Sequence, residues 1–393
     1  MEEFADLLIA LGLLFLAGLA ADHVGRRTHL PRVTLLLACG VVVGAPGLDL
    51  LPPEAEALYE FLSVTALTMV AFLLGSALKR ENLQRHGRAI LSVSAAIVVV
   101  TLGGVALGLW LVGVPPAAAL LLGAIATATD PAATRDALQQ SGRTGGFADE
   151  IRGIVAIDDA WGLLAFSLAA VMAHGLDGGM DLSHFGRAGW EIGGALALGG
   201  AIGLPAAYLT GRLKRGEPLQ SEALGVVFLT AGLAVWAEVS FLLAGMMAGA
   251  MVANLARHQD RAFHEIEHIQ WPFMILFFVL AGASLKLDQL AGAGVVVAAY
   301  IALRAVSRLA GGWLGGALAG APPAHRRWYG AALLPQAGVA VGMALVAARE
   351  FPDHGDLILT LTIGTTVAFE IIGPIATMWA ARRASQSDPD TRG

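Results

Sequence analysis

Thirteen apolar segments divide this chain, at about 4–22, 31–47, 59–78, 89–113, 116–137, 150–174, 188–211, 220–236, 238–256, 270–285, 293–318, 328–348 and 357–381. Roughly 20 apolar residues cross the hydrocarbon core of a bilayer as a helix. Inside lipid each backbone N–H and C=O must be satisfied within the protein, so apolar runs of this length are helices. Composition agrees, with 56% apolar and 14% charged residues against about 25% charged in soluble domains. The expected fold class is an all-α polytopic membrane protein with 13 transmembrane helices. The segments of 16–19 residues are short and read as broken, tilted or lying in a thinned bilayer. The weakest division is within 220–256, where only Ala237, Glu238 and their neighbours intervene. A twelve-segment count is the rival.

Lys and Arg decide between the two. Loops on one side would hold Arg26, Arg27, Arg32, Lys79, Arg80, Arg85, Arg88, Arg135, Arg143, Arg152, Arg212, Lys214, Arg215, Arg257, Arg261, Arg326, Arg327, Arg382, Arg383 and Arg392. The other side holds Arg187 and Lys286, with Arg349 at a segment end. Twelve segments would scramble this pattern. The positive-inside rule puts the crowded side in the cytoplasm. The expectation is a multi-pass inner-membrane protein, N-terminus outside, C-terminus cytoplasmic, its first helix retained and no soluble regulatory domain attached. The net charge of −6 carries no nucleic-acid signature. Cys39, the single cysteine, reads as a packing residue. His258, His264 and His268 fall beside Asp260, Glu265 and Glu267 in a basic-side loop and read as a solvated linker.

Charge inside the apolar segments is the functional signal. Asp158 and Asp159 are adjacent in Ile154–Leu164, and Asp130, Glu370, Arg304 and Arg308 are likewise intramembrane. An acid at the centre of a spanning helix costs at least ~2.5 kcal/mol, and such residues mark ion or proton sites by default. The plainer reading is an acid that pairs with Arg and only holds the bundle together. Adjacent residues point about 100° apart on a helix, so one acid can face a partner while the other faces a cavity. Counted from the segment ends, the six charges fall near one depth and form one network. Arg stays protonated, so two Arg leave two carboxylates in surplus, able to take a cation or protons in competition. The adjacent acids are expected to titrate as a coupled unit. Asp159, Asp158, the Thr129 hydroxyl and unwound carbonyls near Asp130 offer hard oxygen ligands suited to a small cation.

Two segments are broken at matching places. The fifth contains Thr127-Ala128-Thr129-Asp130-Pro131, and the twelfth contains Leu334-Pro335-Gln336-Ala337-Gly338. Pro131 and Pro335 each remove a backbone donor and disfavour helix in the residue before them. With segments 1–6 (1–174), a linking seventh (188–211) and segments 8–13 (220–381), the two breaks hold equivalent positions. Matching interruptions in two halves point to inverted repeats and a transport site between broken helices. The Gly-rich run Gly311-Gly312-Trp313-Leu314-Gly315-Gly316 suits close helix contact. Neither a phosphate-binding Gly loop in a strand-to-helix setting nor a His-Glu-x-x-His or Gly-x-Ser-x-Gly motif occurs, so neither a nucleotide cofactor nor an enzyme is expected.

Ala156-Ile157-Asp158-Asp159 resembles the double-Asp motif of the monovalent cation:proton antiporter superfamily, in its cation:proton antiporter-2 branch. Ala20–Arg27 with Leu30-Pro31-Arg32, Leu276–Gly282 and Phe369–Pro374 resemble softer apolar patterns of the same branch, and the likeness covers nearly the whole chain. It implies the sodium/proton antiporter fold: two inverted repeats with crossed discontinuous helices, a dimerisation domain, a moving core and a homodimer in the bilayer. It implies that Asp159 carries the cation or proton and that Asp158 pairs with a base on the eleventh segment. That base is commonly Lys; here it is Arg304 or Arg308, with depth favouring Arg304, and Glu370 is left as the partner of Arg308. Asp130 and Gln336 would shape the crossing and offset helix-end dipoles. The implied function is exchange of a monovalent cation, Na⁺ first and Li⁺ or K⁺ as alternatives, for H⁺ by alternating access. No cofactor is required beyond the transported ions. A sodium-coupled symporter of an organic anion on the same fold is the alternative, and a channel or sensor a third.

Overall fold

The computed structural model describes residues 2–28, 32–51, 53–78, 87–142, 146–178, 182–209, 219–256, 259–285 and 294–386. Its helices in chain order are α1 (Glu2–Thr28), α2 (Arg32–Val43), α3 (Pro53–Gly75), α4 (Arg88–Leu111), α5 (Pro116–Ile125), α6 (Pro131–Gln140), α7 (Gly146–Gly178) and α8 (Leu182–Leu209). They continue with α9 (Leu219–Trp236), α10 (Phe241–Leu255), α11 (Gln259–Ala283), α12 (Gly294–Leu318), α13 (Pro323–Arg326), α14 (Tyr329–Ala332), α15 (Gly338–Glu350) and α16 (Pro352–Gln386). Six are long and apolar enough to cross a membrane, and six more have shorter apolar cores of 10–17 residues. Each of the thirteen apolar segments contains a helix, and the fifth and twelfth are each split. The stretch 220–256 does divide. Glu238 takes a left-handed backbone (φ 53°), and Ser240 caps α10 by accepting from the Leu243 N–H at 3.3 Å. Lys79, Arg80, Arg85, Arg143, Arg212, Lys214, Arg215, Arg257, His258, Lys286, Arg392 and the Leu30-Pro31 pair lie outside the described residues.

The chain folds as two compact units, 1–82 with 181–285 and 83–180 with 286–393. The first draws α1–α3 from the first half, the linking helix α8, and α9–α11 from the second half. In it, α2 meets α11 at backbone distance, because Gly40 faces the Val279 carbonyl and Gly282 faces that of Leu37. His264 and His268 lie exposed on α11 with ring centroids 4.2 Å apart.

The second unit holds α4–α7 and α12–α16. Long helices α4 and α12 pack side by side through small residues: Gly104 against Ser307, and Gly311 and Gly315 against the α4 backbone at Ile97 and Val93. The Gly-rich run behaves as expected, with its four glycines buried and Trp313 and Leu314 turned outward. Gly312 faces Gly330 across the α12–α14 contact, where an added Cβ would meet backbone. Burying a side chain there overpacks a rigid contact, at about 1–3 kcal/mol. Gly330→Val is therefore expected to lower the unfolding temperature of the detergent-solubilised protein, while Gly232→Ala, inside α9 at a position open to space, is expected not to lower it.

Candidate functional site

Local sequence makes both breaks. Helix α5 ends at Ile125, and α6 begins at Pro131, whose fixed φ suits the first helical position. Asp130 is extended (φ −99°, ψ 107°), as a residue before proline prefers. Its Oδ1 accepts from the N–H groups of Ala132 at 2.8 Å and Ala133 at 3.1 Å, capping α6. In the second break α14 ends at Ala332 and α15 begins at Gly338, with Leu333–Ala337 unwound between them. The breaks touch: the Asp130 N–H donates to the Pro335 carbonyl at 3.1 Å, and Gln336 Nε2 donates to the Ile125 carbonyl at 3.1 Å.

Two arginines one turn apart on α12 hold the unwound strands. Arg304 donates through Nε to Ala126 O (3.0 Å), Nη2 to Ala128 O (2.9 Å) and Nη1 to Leu334 O (2.8 Å). The Phe369 ring centroid lies 4.1 Å from its guanidinium carbon. Arg308 donates through Nη1 to Leu333 O (2.8 Å) and through Nη2 to Ala128 O (3.1 Å) and to Thr127 O. These carbonyls belong to the unwound residues just beyond the ends of α5 and α14, where the negative ends of the helix dipoles lie.

The acids sit against the same strands. Asp158, Asp159, Arg304 and Arg308 are fully buried. Asp158 Oδ2 accepts from the Thr129 hydroxyl and lies 3.4 Å from Arg308 Nη1, while Thr129 Oγ1 accepts from that same Nη1 at 2.9 Å. Ser94 on α4 donates to Asp158 Oδ1 at 3.4 Å. Asp159 is held differently. Its Oδ1 accepts from the Thr129 N–H at 3.2 Å, and its Oδ2 is buried without a hydrogen-bond partner. One residue, Thr129, thus binds one acid through its hydroxyl and the other through its backbone.

Depth counting favoured Arg304 as the partner of Asp158; the geometry assigns Arg308 instead. The two lie one turn apart on one face, a separation that segment-end counting does not resolve, and Arg304 is drawn fully into carbonyls. Arg308 spends its bonds on Asp158, Thr129 and three carbonyls, and Glu370 is not among these partners. Glu370 is buried on α16, one residue beyond Phe369. Asp130 serves as a helix cap. Ser94 escaped sequence reasoning, and Phe369 entered it only as part of the Phe369–Pro374 pattern, because a serine and a phenylalanine in apolar helices carry no role of their own until the helices are packed.

The two arginines differ in what they satisfy, and that is testable. Arg304→Lys replaces a three-way fork with one ammonium, and hydrogen bonds to a charged group are worth about 1.5–3 kcal/mol each. Thermal unfolding in detergent is expected to fall by several degrees for Arg304→Lys. Ser94→Ala, losing one long bond, is expected to fall by less than half as much.

Comparison with known proteins follows the same outline. The family model described as sodium/hydrogen exchanger, transmembrane, matches residues 11–383. The ammonium/H⁺ antiporter subunit AmhT of Alkalihalophilus pseudofirmus is 23% identical over 376 residues, covering 93% of this chain and 89% of that protein. The K⁺/H⁺ antiporter NhaP of Alkalimonas amylolytica is 24% identical over 305 residues, covering 74% of this chain and 51% of that protein. The solved structure of the sodium proton antiporter MjNhaP1 from Methanocaldococcus jannaschii at pH 8 superposes with a TM-score of 0.77 at 19% identity, covering 97% of this chain and 99% of that one. The match spans both broken segments and the double aspartate, and the chain belongs to the sodium/hydrogen exchanger family of transmembrane proteins.

Proposed function

We propose that the protein exchanges a monovalent cation for a proton across the membrane, with Asp159 taking the two in turn. The observation that carries this reading is the asymmetry of the adjacent acids. Asp158 has three donors, Arg308, Thr129 and Ser94, whereas Asp159 has one, the Thr129 N–H, and keeps a bare buried oxygen. A carboxylate oxygen enclosed without a donor is stabilised either by a proton or by a cation, and the two compete for it. Asp158, engaged by Arg308, Thr129 and Ser94, stands beside it as a second carboxylate of the ligand set. Thr129, Asp158 and Asp159 are the oxygen donors proposed for the cation, and Asp130, Gln336, Arg304 and Arg308 keep the unwound strands in shape.

Na⁺ is the expected cation. The relatives' names supply sodium, potassium and ammonium as the ions to compare. Transport follows alternating access, the site opening to one face of the membrane at a time. The chain acts in the inner membrane, N-terminus outside, as a homodimer.

The test is dissipation of a pH gradient by protein reconstituted in liposomes, with Na⁺, Li⁺, K⁺ or choline added separately. Cation-dependent dissipation is expected for wild type and background rates for Asp159→Asn. Exchange by folded Asp159→Asn at the wild-type rate overturns the assignment. Because proton and cation compete for one carboxylate, the apparent KM for the cation is expected to rise up to about tenfold per pH unit on the acid limb. A KM that stays constant across that limb excludes a shared site.

A further inference from the structure

The second unit holds another set of partly buried polar contacts that exchange at Asp159 does not use. Glu150 lies near the start of α7, His325 on α13 and Tyr329 at the head of α14. One oxygen, Glu150 Oε2, accepts from the Tyr329 hydroxyl at 2.6 Å and lies 2.9 Å from His325 Nδ1. Phe147 stacks on Tyr329 at 5.6 Å and 18°, and meets the His325 ring edge-on at 5.4 Å and 67°. His325 is 5% exposed. The imidazole is therefore enclosed by an aromatic face and a carboxylate.

That contact depends on pH. The contact is an ion pair only while the imidazole is protonated, and histidine is the side chain whose ordinary charge change falls between pH 5 and 8. A doubly charged hydrogen bond is roughly twice as strong as a neutral one. A carboxylate favours the protonated form of an imidazole beside it, so the added stability is present below the imidazole's ordinary range and is lost as pH rises beyond that range. The other charged groups around this cluster lie at its exposed side or over aromatic rings. Asp149 and Arg152 on α7 pair with each other at 2.7 Å on its exposed side. Arg135 and Asp136 on α6 are exposed. Arg326 lies over the Trp313 ring at 5.9 Å and Arg327 follows it in sequence, while Arg383 beside Arg382 lies over Trp379 at 5.9 Å. The end of α12 facing this cluster, Gly311–Leu318, brings no titratable side chain. Among these groups only His325 has an ordinary pKa between pH 5 and 8.

Position gives the contact its leverage. Helix α7 runs from Glu150 to Asp158 in eight residues, about 12 Å. Helix α14 runs from Tyr329 directly into Leu333 and Leu334, whose carbonyls receive Arg308 and Arg304. We propose that Glu150, His325 and Tyr329 form a pH-dependent latch that ties the start of α7 to α13 and α14 when the imidazole is protonated, slowing exchange at Asp159, and lets go as the pH rises. Its control of exchange rests on the exchange function proposed above; the latch contact itself does not.

Hydrogen–deuterium exchange on the full-length protein in liposomes reads the contact directly, on either side of about pH 6.5, after correction for intrinsic rates. Amides around Phe147–Arg152 and His325–Ala332 are expected to exchange roughly fivefold faster on the alkaline side in wild type. His325→Gln is expected to show no such step, and Tyr329→Phe a smaller one. In the transport assay at saturating cation, where proton competition at Asp159 drops out, His325→Gln is expected to keep the wild-type alkaline rate on the acid side too. Should His325→Gln fail to fold, Glu150→Gln carries the same prediction. Wild-type protection that does not change with pH, or an unaltered step in His325→Gln, overturns the latch. A pH step in protection with no cation-dependent exchange at any pH overturns the exchange function, and with it the latch's control of transport, while the contact stands.

Discussion

Everything in the second unit depends on two guanidinium groups held away from water against backbone carbonyls. Unwinding a helix in mid-membrane exposes acceptors that lipid cannot satisfy, at a cost of several kcal/mol for each group left unpaired. Arg304 and Arg308 supply donors for five of these carbonyls, from Ala126, Thr127, Ala128, Leu333 and Leu334. Their charges in turn offset the negative ends of two half-helices and the carboxylate of Asp158. The breaks, the arginines and the acids are mutually stabilising, and none is tolerable in a membrane without the others.

This interdependence explains how adjacent acids on one helix come to have different surroundings. Asp158 and Asp159 share a helix turn and complete burial, yet their surroundings differ because α7 presents one to Arg308 and α4 and the other to the unwound strand. Thr129 lies between them. Its backbone N–H meets Asp159 and its hydroxyl meets Asp158 and Arg308, so a displacement of either acid is felt by the other.

Much of this was legible in the sequence, because membrane physics leaves few choices. The apolar segments gave the helices. Pro131 and Pro335 marked the breaks, and even the thin division at Ala237–Ser240 was recoverable from the arginine pattern. Charges in apolar helices marked the site, since nothing else explains Asp158, Asp159, Arg304 and Arg308 there. What the sequence withheld depends on rotation and packing. Arg304 and Arg308 differ by a single turn, so which one reaches Asp158 is decided by how α12 lies on α4, a matter of glycine contacts at Gly104 and Gly311. Ser94 and Phe369 act only through neighbours distant in the chain. Glu150 stands out by nothing in the sequence, and its partners are 175 and 179 residues away.

The spacing of the two arginines carries a further consequence. Both reach the site because four residues return a helix to nearly the same azimuth. A one-residue insertion between them would swing one guanidinium by about 100° towards lipid and leave its carbonyls bare. Substitutions can adjust this site by degrees, but changes of length within α12 cannot. The helix serves as a ruler as well as a wall, and its phase between Arg304 and Arg308 is fixed by the two half-helices it joins.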